Sequence, residues 1–500
     1  MKKIIPTLLF FLALLLANTT WAQNEVDVLR FSQNDFFGSA RAEGMAGSIG
    51  GIGGDFSAVQ VNPAGMARFS SSNFSISGHL NYALIEGVYN ETTRQLASTS
   101  FKIPNVGLVL TTDVSLENNG RLYRQFFMGY TRVRDFNYTK RYEGQNYNSL
   151  LDVFANDGAG IPYDPDNEVF DIFYERPFTT GLGLDAQTIG YDPMTQTYFP
   201  YLTEGDMYHE RTINTKGRVG DFHIGVSENY MNQIYYGGSV GIRRVTFTEE
   251  TRHTETLLEP EGVDLRSFDY LYDLETKGWG INIKAGFLFL PDDNMRMGLS
   301  FESPTLHSLT DTYTANMTSY QSYGTVEIPN KFVPSGEYKY RLLSPMKIRG
   351  SIGYIFNLQG AFNLDLEYVR FNKGKLLPDL SGDFDFYAFD IENETVGEIY
   401  RSVINTRIGM EYMIHKNTFI RAGYALHPQP FKKEYRNGLA MNQTLALGFG
   451  FERNDLFLDF SFRRLIRNSD YFAFDPSQAQ NRTEFTSFLN YLVVSVNLRL

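Results

Sequence analysis

The sequence predicts an all-β fold, a 14-stranded antiparallel transmembrane β-barrel. Three observations lead there. The long apolar run lies at the amino terminus and nowhere else, and the rest of the chain alternates apolar and polar residues with period two. The connections between the alternating segments, finally, switch between very short and long.

Residues 1–22 read as a secretory signal peptide. Lys2 and Lys3 form a charged start, Leu8 to Ala17 an apolar core, and Thr20-Trp21-Ala22 a small-residue cleavage site before Gln23. That core is too short to cross ~30 Å of hydrocarbon, and no later stretch approaches the length of a spanning helix. The mature chain is therefore expected to be exported, and any membrane crossing has to use strands. A mean hydropathy of −0.28 excludes a helical membrane protein and no other kind.

Composition narrows the function classes. Of 500 residues, 42% are hydrophobic and 15% aromatic, too many for a disordered chain. A formal charge of −12 argues against nucleic-acid binding. The absence of cysteine removes thiol catalysis, cysteine-ligated metals and disulfides. The histidines form no His-Glu-x-x-His pair, and no Gly-x-Ser-x-Gly elbow occurs. Asp164, Asp166 and Glu168 are spaced loosely like calcium ligands but lack a calcium-loop pattern, and read as a solvated loop. No catalytic residue, metal site or cofactor is expected, and the chain does not read as an enzyme.

The strands follow in order near 72–84, 97–111, 122–136, 212–228, 233–249, 278–290, 294–312, 341–356, 360–371, 402–414, 418–427, 441–452, 455–465 and 488–500. Phe362, Leu364, Leu366 and Tyr368 alternate with Asn363, Asp365 and Glu367, and the chain ends with Leu492, Val494, Val496 and Leu498 against Ser495, Asn497 and Arg499. A soluble sandwich shows the same alternation, but it does not sort its connections by parity. Here short turns such as His415-Lys416-Asn417 and Arg453-Asn454 alternate with long loops, the layout of an outer-membrane barrel with both mature termini on the periplasmic side. Phe and Tyr at strand ends suit interfacial girdles.

Before the first strand, small residues crowd together: Gly44-Met45-Ala46-Gly47, Gly50-Gly51-Ile52-Gly53-Gly54-Asp55 and Asn62-Pro63-Ala64-Gly65-Met66-Ala67. Neither Gly-x-Gly-x-x-Gly nor Gly-Lys-Ser/Thr is present, so a phosphate-binding loop is excluded. This arrangement, with Phe101-Lys102-Ile103-Pro104 opening the second strand and Ser303-Pro304 in the seventh, resembles the FadL-type family of outer-membrane transporters for long-chain fatty acids and other hydrophobic compounds, in a Bacteroidota-like form. A related barrel, the PorV-like component of type IX secretion, carries a similar amino-terminal stretch.

The resemblance implies a plug, or hatch, formed by residues 23–71 inside a barrel of residues 72–500. Asn62, Pro63, Ala64 and Gly65 map onto the hatch motif, where they either hold the plug or take part in ligand passage. It further implies a capture site between extracellular loops, for which the longest connection, about 137–211 with Phe170, Phe173, Tyr174 and Phe178, is the candidate. Lateral exit would use a kinked third strand, and Gly129 marks either that kink or an ordinary strand position.

Inward positions carry Lys284, Arg296, Lys347, Arg349, Arg407, Arg421, Arg463 and Arg499 against Glu302, Asp365, Glu367, Glu411 and Asp459. These form a paired lumen network, or else one of Arg349, Arg407 and Arg421 receives a carboxylate headgroup. The expected function is outer-membrane transport of long-chain fatty acids or other hydrophobic small molecules by a monomer seated in the lipid bilayer of a Gram-negative cell. An interaction barrel of the PorV-like kind, or a structural barrel, is the alternative. Much of the acidity is local: residues 137–210 hold 13 Asp/Glu and 3 Lys/Arg, a net of −10 out of −12.

Overall fold

The computed structural model describes residues 25–500 apart from 118, 165–168, 203–205, 261, 358, 381–386, 436–439 and 475–480; residues 1–22, expected as a signal peptide, and Asp166 and Glu168 lie outside the described residues. Fourteen strands form the wall. It begins with β1 (Asn73–Tyr89), β2 (Thr92–Asp113) and β3 (Arg121–Asp135), the last continued by Tyr138–Asn146. The long strands β4 (Met207–Tyr230), β5 (Ile234–Leu257) and β6 (Leu265–Phe289) follow. Each of the next two is split at a proline, which cannot donate to a ladder. β7 runs Met295–Glu302 and Leu306–Gln321 around Pro304, and β8 runs Ser335–Leu343 and Lys347–Phe356 around Pro345.

The wall continues with β9 (Gly360–Arg370), β10 (Ser402–His415) and β11 (Thr418–His427). It ends with β12 (Asn442–Arg453), β13 (Leu456–Phe472) and β14 (Arg482–Arg499). Neighbours pair antiparallel throughout, and β14 pairs with β1 from Asn73↔Arg499 to Tyr89↔Thr483, which closes the ring.

The burial pattern is inverted relative to a soluble protein. On β8, Lys347, Arg349 and Ser351 are buried while Ile348, Ile352 and Tyr354 are exposed. On β12, Leu445, Leu447, Phe449 and Phe451 are exposed opposite the buried Thr444 and Ala446. An exposed apolar face running round a closed ring is a surface for lipid. On β5 that band ends at Ile242, beyond which the outward positions are Arg244, Thr246, Thr248, Glu250, Arg252 and Thr254.

The strands therefore run on past the bilayer. β4 and β5 have 24 residues each, where ~9–11 suffice to cross. For this reason the connection expected at 85–96 is a two-residue turn, Asn90-Glu91, between extended strands, and 250–277 is mostly strand. On the opposite side the short turns carry asparagine at positive φ: Asn232 (55°), Asn357 (53°), Asn417 (64°) and Asn454 (54°).

Residues 25–72 lie within the ring. Helix α1 (Glu25–Ser32) and the short α2 (Ala40–Gly44) lead into two 3-10 turns, Phe56–Gln60 and Pro63–Arg68. The segment's bonds reach most of the way round the wall. Ala40 N–H donates to Ser495 Oγ on β14 (2.9 Å), Ser48 Oγ to the Arg407 carbonyl on β10 (3.2 Å) and Gly50 N–H to Asp365 on β9 (3.2 Å). Ser300 Oγ on β7 donates to the Val61 carbonyl (2.5 Å).

The longest connection joins Asn146 to Met207, shorter than the expected 137–211 because the strands on both sides extend into it. It holds α3 (Leu150–Asp157), α4 (Asp171–Glu175), α5 (Thr180–Asp185) and a hairpin of Ile189–Asp192 with Thr197–Pro200. Ser149 starts α3 with a capping box to Asp152.

Candidate functional site

The lumen is layered. At the loop side, Leu150, Leu151 and Phe154 of α3 pack against the inward Phe268, Tyr270 and Met317. Below them Val28 and Phe31 of α1 sit among Val219, Val245, Phe247, Leu274, Leu309 and Leu342, a ring of inward apolar side chains from five strands. Below these again, the rest of the amino-terminal segment builds its own core from Phe56, Val59 and Met66 against Val109 and Phe127 of the wall.

Charges line the wall between these layers. Seven consecutive strands, β4 to β10, each contribute at least one residue to a continuous chain of ion pairs. Arg243 reaches Asp221 (3.0 Å) and Glu302 (3.3 Å), and Lys284 reaches Asp221 (3.1 Å). Arg349 joins Glu302 (2.8 Å) to Glu367 (2.5 Å), and Arg407 lies 3.4 Å from Glu367. Arg421 bridges Glu411 (2.6 Å) and Asp459 (2.7 Å). Most of the expected lumen charges thus face inward and are paired; Arg499 instead stands half exposed near Glu452 at the end of β14.

Five further groups, absent from the sequence-based set, tie the amino-terminal segment to the wall. Arg41 pairs with Glu411 (2.9 Å), Glu43 with Arg463 (2.9 Å), and Asp35 with Arg134 (3.2 Å) and Arg467 (2.5 Å).

The Asn-Pro-Ala-Gly stretch is seated in the wall. Asn62 caps the second 3-10 turn, its Oδ1 accepting from Ala64 N–H (3.0 Å), while its Nδ2 donates to the carbonyls of Gly50 (3.3 Å) and Phe287 (3.2 Å). Gly65 packs against Ala58 and Gly53.

Gly129 is paired on both sides, with Gly107 of β2 and His223 of β4, and the ladder runs through it unbroken. Its role is space: Gly107 and Gly129 face each other in register, and a Cβ on either would lie within 2.4 Å of the Phe56 ring. One register shift precedes it, between Arg121 and Tyr123, and another comes later in the strand, between Arg132 and Arg134.

The later shift coincides with a break in the wall. β2 and β3 pair from Asp113↔Tyr123 to Asn105↔Thr131 and no further, although β2 continues to Thr92 and β3 to Asp135. Pro104 stands at the parting. The amino-terminal segment takes up the freed Val133 carbonyl through Asp35 N–H (2.7 Å). Lys102 of β2 reaches across the gap to Asp135, which Arg132 also contacts (3.0 Å). Val133 and Phe136 belong to the same apolar layer as Val28 and Phe31, so the break opens beside that layer.

Three cavities adjoin these features. One of about 60 Å³ lies between the amino-terminal segment and the wall, lined by Arg134, Lys347, Arg407, Arg463 and Arg467 against Asp35 and Glu367. Two lie in the loop cluster: about 700 Å³ lined by Tyr163, Tyr191, Tyr201 and Tyr323, and about 490 Å³ lined by Phe173, Phe178, Leu182 and Phe332. In this loop region, outside the bilayer, burial pushes His209 down to about 4 and His253 well below the ordinary range, so both rings are neutral at neutral pH.

Residues 239–499 match the family described as outer membrane protein transport protein (OMPP1/FadL/TodX). No curated protein matches the sequence. Among solved structures, the chain is similar to a Pseudomonas aeruginosa FadL homologue at 13% identity and a TM-score of 0.56, over 93% of this chain and 99% of that one. It is similar to the Pseudomonas putida toluene transporter TodX at 12% identity and a TM-score of 0.53, over 94% of this chain and 100% of that one. Such likenesses carry the fold. The family match runs from β5 to the end of the wall, more than half of the chain. The chain therefore belongs to the FadL/TodX family of outer membrane transport proteins.

Proposed function

We propose that the chain carries long-chain fatty acids, or hydrophobic molecules of similar length, across the outer membrane of a Gram-negative cell, as a monomer exported by its signal peptide. The carrying observation is the apolar ring of Val219, Val245, Phe247, Leu274, Leu309 and Leu342 beside the β2–β3 break. A porin for polar solutes has a polar, water-filled interior. An acyl chain gains ~0.8 kcal/mol for each CH₂ that leaves water, and an apolar ring inside the wall offers that gain.

In this reading the aromatic clefts of the loop cluster capture the ligand. Residues 23–71 act as the hatch, seated by Asn62, Pro63, Ala64 and Gly65, with Val28 and Phe31 holding the place that the ligand takes. Exit is sideways between β2 and β3, past Val133, when the Lys102–Asp135 contact opens. Arg349 and Arg421 each bridge two carboxylates and so stiffen the wall, whereas among the described residues the Arg407 side chain has one carboxylate contact, at 3.4 Å, and faces the cationic cavity. It is the arginine best placed for a carboxylate headgroup.

A second reading, an interaction barrel of the PorV-like kind, draws on the exposed Tyr147, Tyr174, Met194 and Tyr323 of the loop side. Uptake of labelled oleate and labelled toluene by cells with and without the protein separates the two. Oleate uptake that depends on the protein supports transport of acyl chains. Uptake unchanged for both compounds, with loss of surface proteins on deletion, supports the second reading.

A further inference from the structure

Outside the bilayer, β4 and β5 bring together three residues that the transport reading does not use. His209 stands directly across from Glu255 in register, and His253 lies two residues before Glu255 on the same strand, so all three side chains share the inward face. All are fully buried. His253 Nε2 lies 2.8 Å from Glu255 Oε1, His209 Nε2 lies 3.8 Å from the same oxygen, and the three ligand atoms fall within 4.8 Å of one another. Ligands on one tetrahedral zinc ion, with bonds of ~2.0–2.2 Å, stand about 3.4 Å apart. The observed separations bracket that value.

For Glu255 and His209 the surroundings are those of held ligands. Glu255 accepts from Ser149 Oγ (2.6 Å) and Leu150 N–H (2.8 Å), which fix its carboxylate. Tyr89 Oη, itself fixed by Asn146 (2.6 Å), lies 3.4 Å from His209 Nδ1, leaving Nε2 turned to the cluster. Among the described residues His209 Nε2 has no hydrogen-bond partner, although it is fully buried. A buried, unpaired imidazole nitrogen is costly in itself. Metal ligation would satisfy it, and a partner on the other ring nitrogen is the usual companion of a metal-bound histidine.

We propose that His209, His253 and Glu255 bind one zinc-like divalent cation from the extracellular side, clamping α3 over the barrel mouth. Two imidazoles and one carboxylate favour zinc, cobalt, nickel or copper over calcium and magnesium, which prefer all-oxygen sites. The clamp follows from Glu255, because the carboxylate that ligates the ion also holds the first turn of α3 through Ser149 and Leu150. Arg211, opposite His253 in register, adds a positive charge that weakens the site.

The test titrates full-length protein, folded in detergent, with Co²⁺ and then Zn²⁺. The expected result is one Co²⁺ per chain with the visible absorption of a four-coordinate ion, displaced by Zn²⁺. Binding is lost in His253→Gln and tightened in Arg211→Gln, and Zn²⁺ slows proteolysis between residues 147 and 206 in the wild type. Heat-modifiable migration on a gel verifies that each variant has a folded barrel. If His253→Gln does not fold, His209→Gln takes its place. Absence of saturable Co²⁺ binding, or binding unchanged in a folded histidine variant, overturns the proposal.

Discussion

The side chain of Asn62 occupies the space that a side chain on Gly286 would need: a Cβ at Gly286 would lie 2.0 Å from Asn62 Oδ1. Gly286 belongs to β6, more than two hundred residues away in sequence. The amino-terminal segment and the wall are thus shaped for each other at the position of the Asn-Pro-Ala stretch, and the contact is backbone against amide with no room to spare.

Gly286→Ala is expected to unseat this turn while leaving the barrel closed. Overpacking of this kind costs about 1–3 kcal/mol, taken here from the segment's seating. The expected signature is a normal heat-modifiable barrel whose residues 25–72 become accessible to protease. A segment as protected as in the wild type would show that the seat tolerates the methyl group.

The Lys102–Asp135 contact spans the break between β2 and β3. Asp135→Asn removes its charge pairing without changing shape and is expected to raise the rate of oleate uptake several-fold, with no rise in the passage of hydrophilic antibiotics. Equal uptake in both proteins would place the exit elsewhere.

Phe31→Ala vacates part of the apolar ring. Removing a buried phenylalanine costs about 3–5 kcal/mol, and the space left is expected to bind hydrophobic ligand more tightly, read as a lower Kd for a fluorescent fatty acid. Unchanged affinity would separate α1 from the ligand path.

Deleting residues 23–71 is expected to raise small-solute conductance in planar bilayers. If conductance stays at the wild-type level, the segment does not block the lumen.

Much of the wall was legible in the sequence because lipid imposes period two where the strands cross. Leu445, Leu447, Phe449 and Phe451 had to be apolar, and their neighbours were free to be polar. The same logic explains what was missed. Past Ile242 the outward face of β5 meets no lipid, and past Glu249 its inward face leaves the apolar ring, so Glu250 to Thr256 carry no alternation and read as loop. The His-x-Glu of residues 253–255 was hidden for that reason, and its partner His209 is brought close by cross-strand pairing alone. Arg243 escaped notice because it is followed by Arg244, and the doublet conceals which one faces inward. Arg41, Glu43 and Asp35 were invisible in principle, since their wall partners lie between about 100 and 430 residues away. The small residues of the amino-terminal segment pointed to close packing, but the matching space is made by wall glycines such as Gly107, Gly129 and Gly286, which look like any other strand glycine.

The chain contains no cysteine, and a Cβ on Gly409 of β10 would lie 2.7 Å from Met45 Cβ, close enough for a disulfide after a small adjustment. Uptake of labelled oleate by cells carrying the Met45→Cys, Gly409→Cys double variant, oxidised and then reduced, tests transport gated by the amino-terminal segment most directly. Uptake is expected to fall near background in the oxidised form and to recover on reduction. Wild-type uptake with the disulfide fully formed would contradict it.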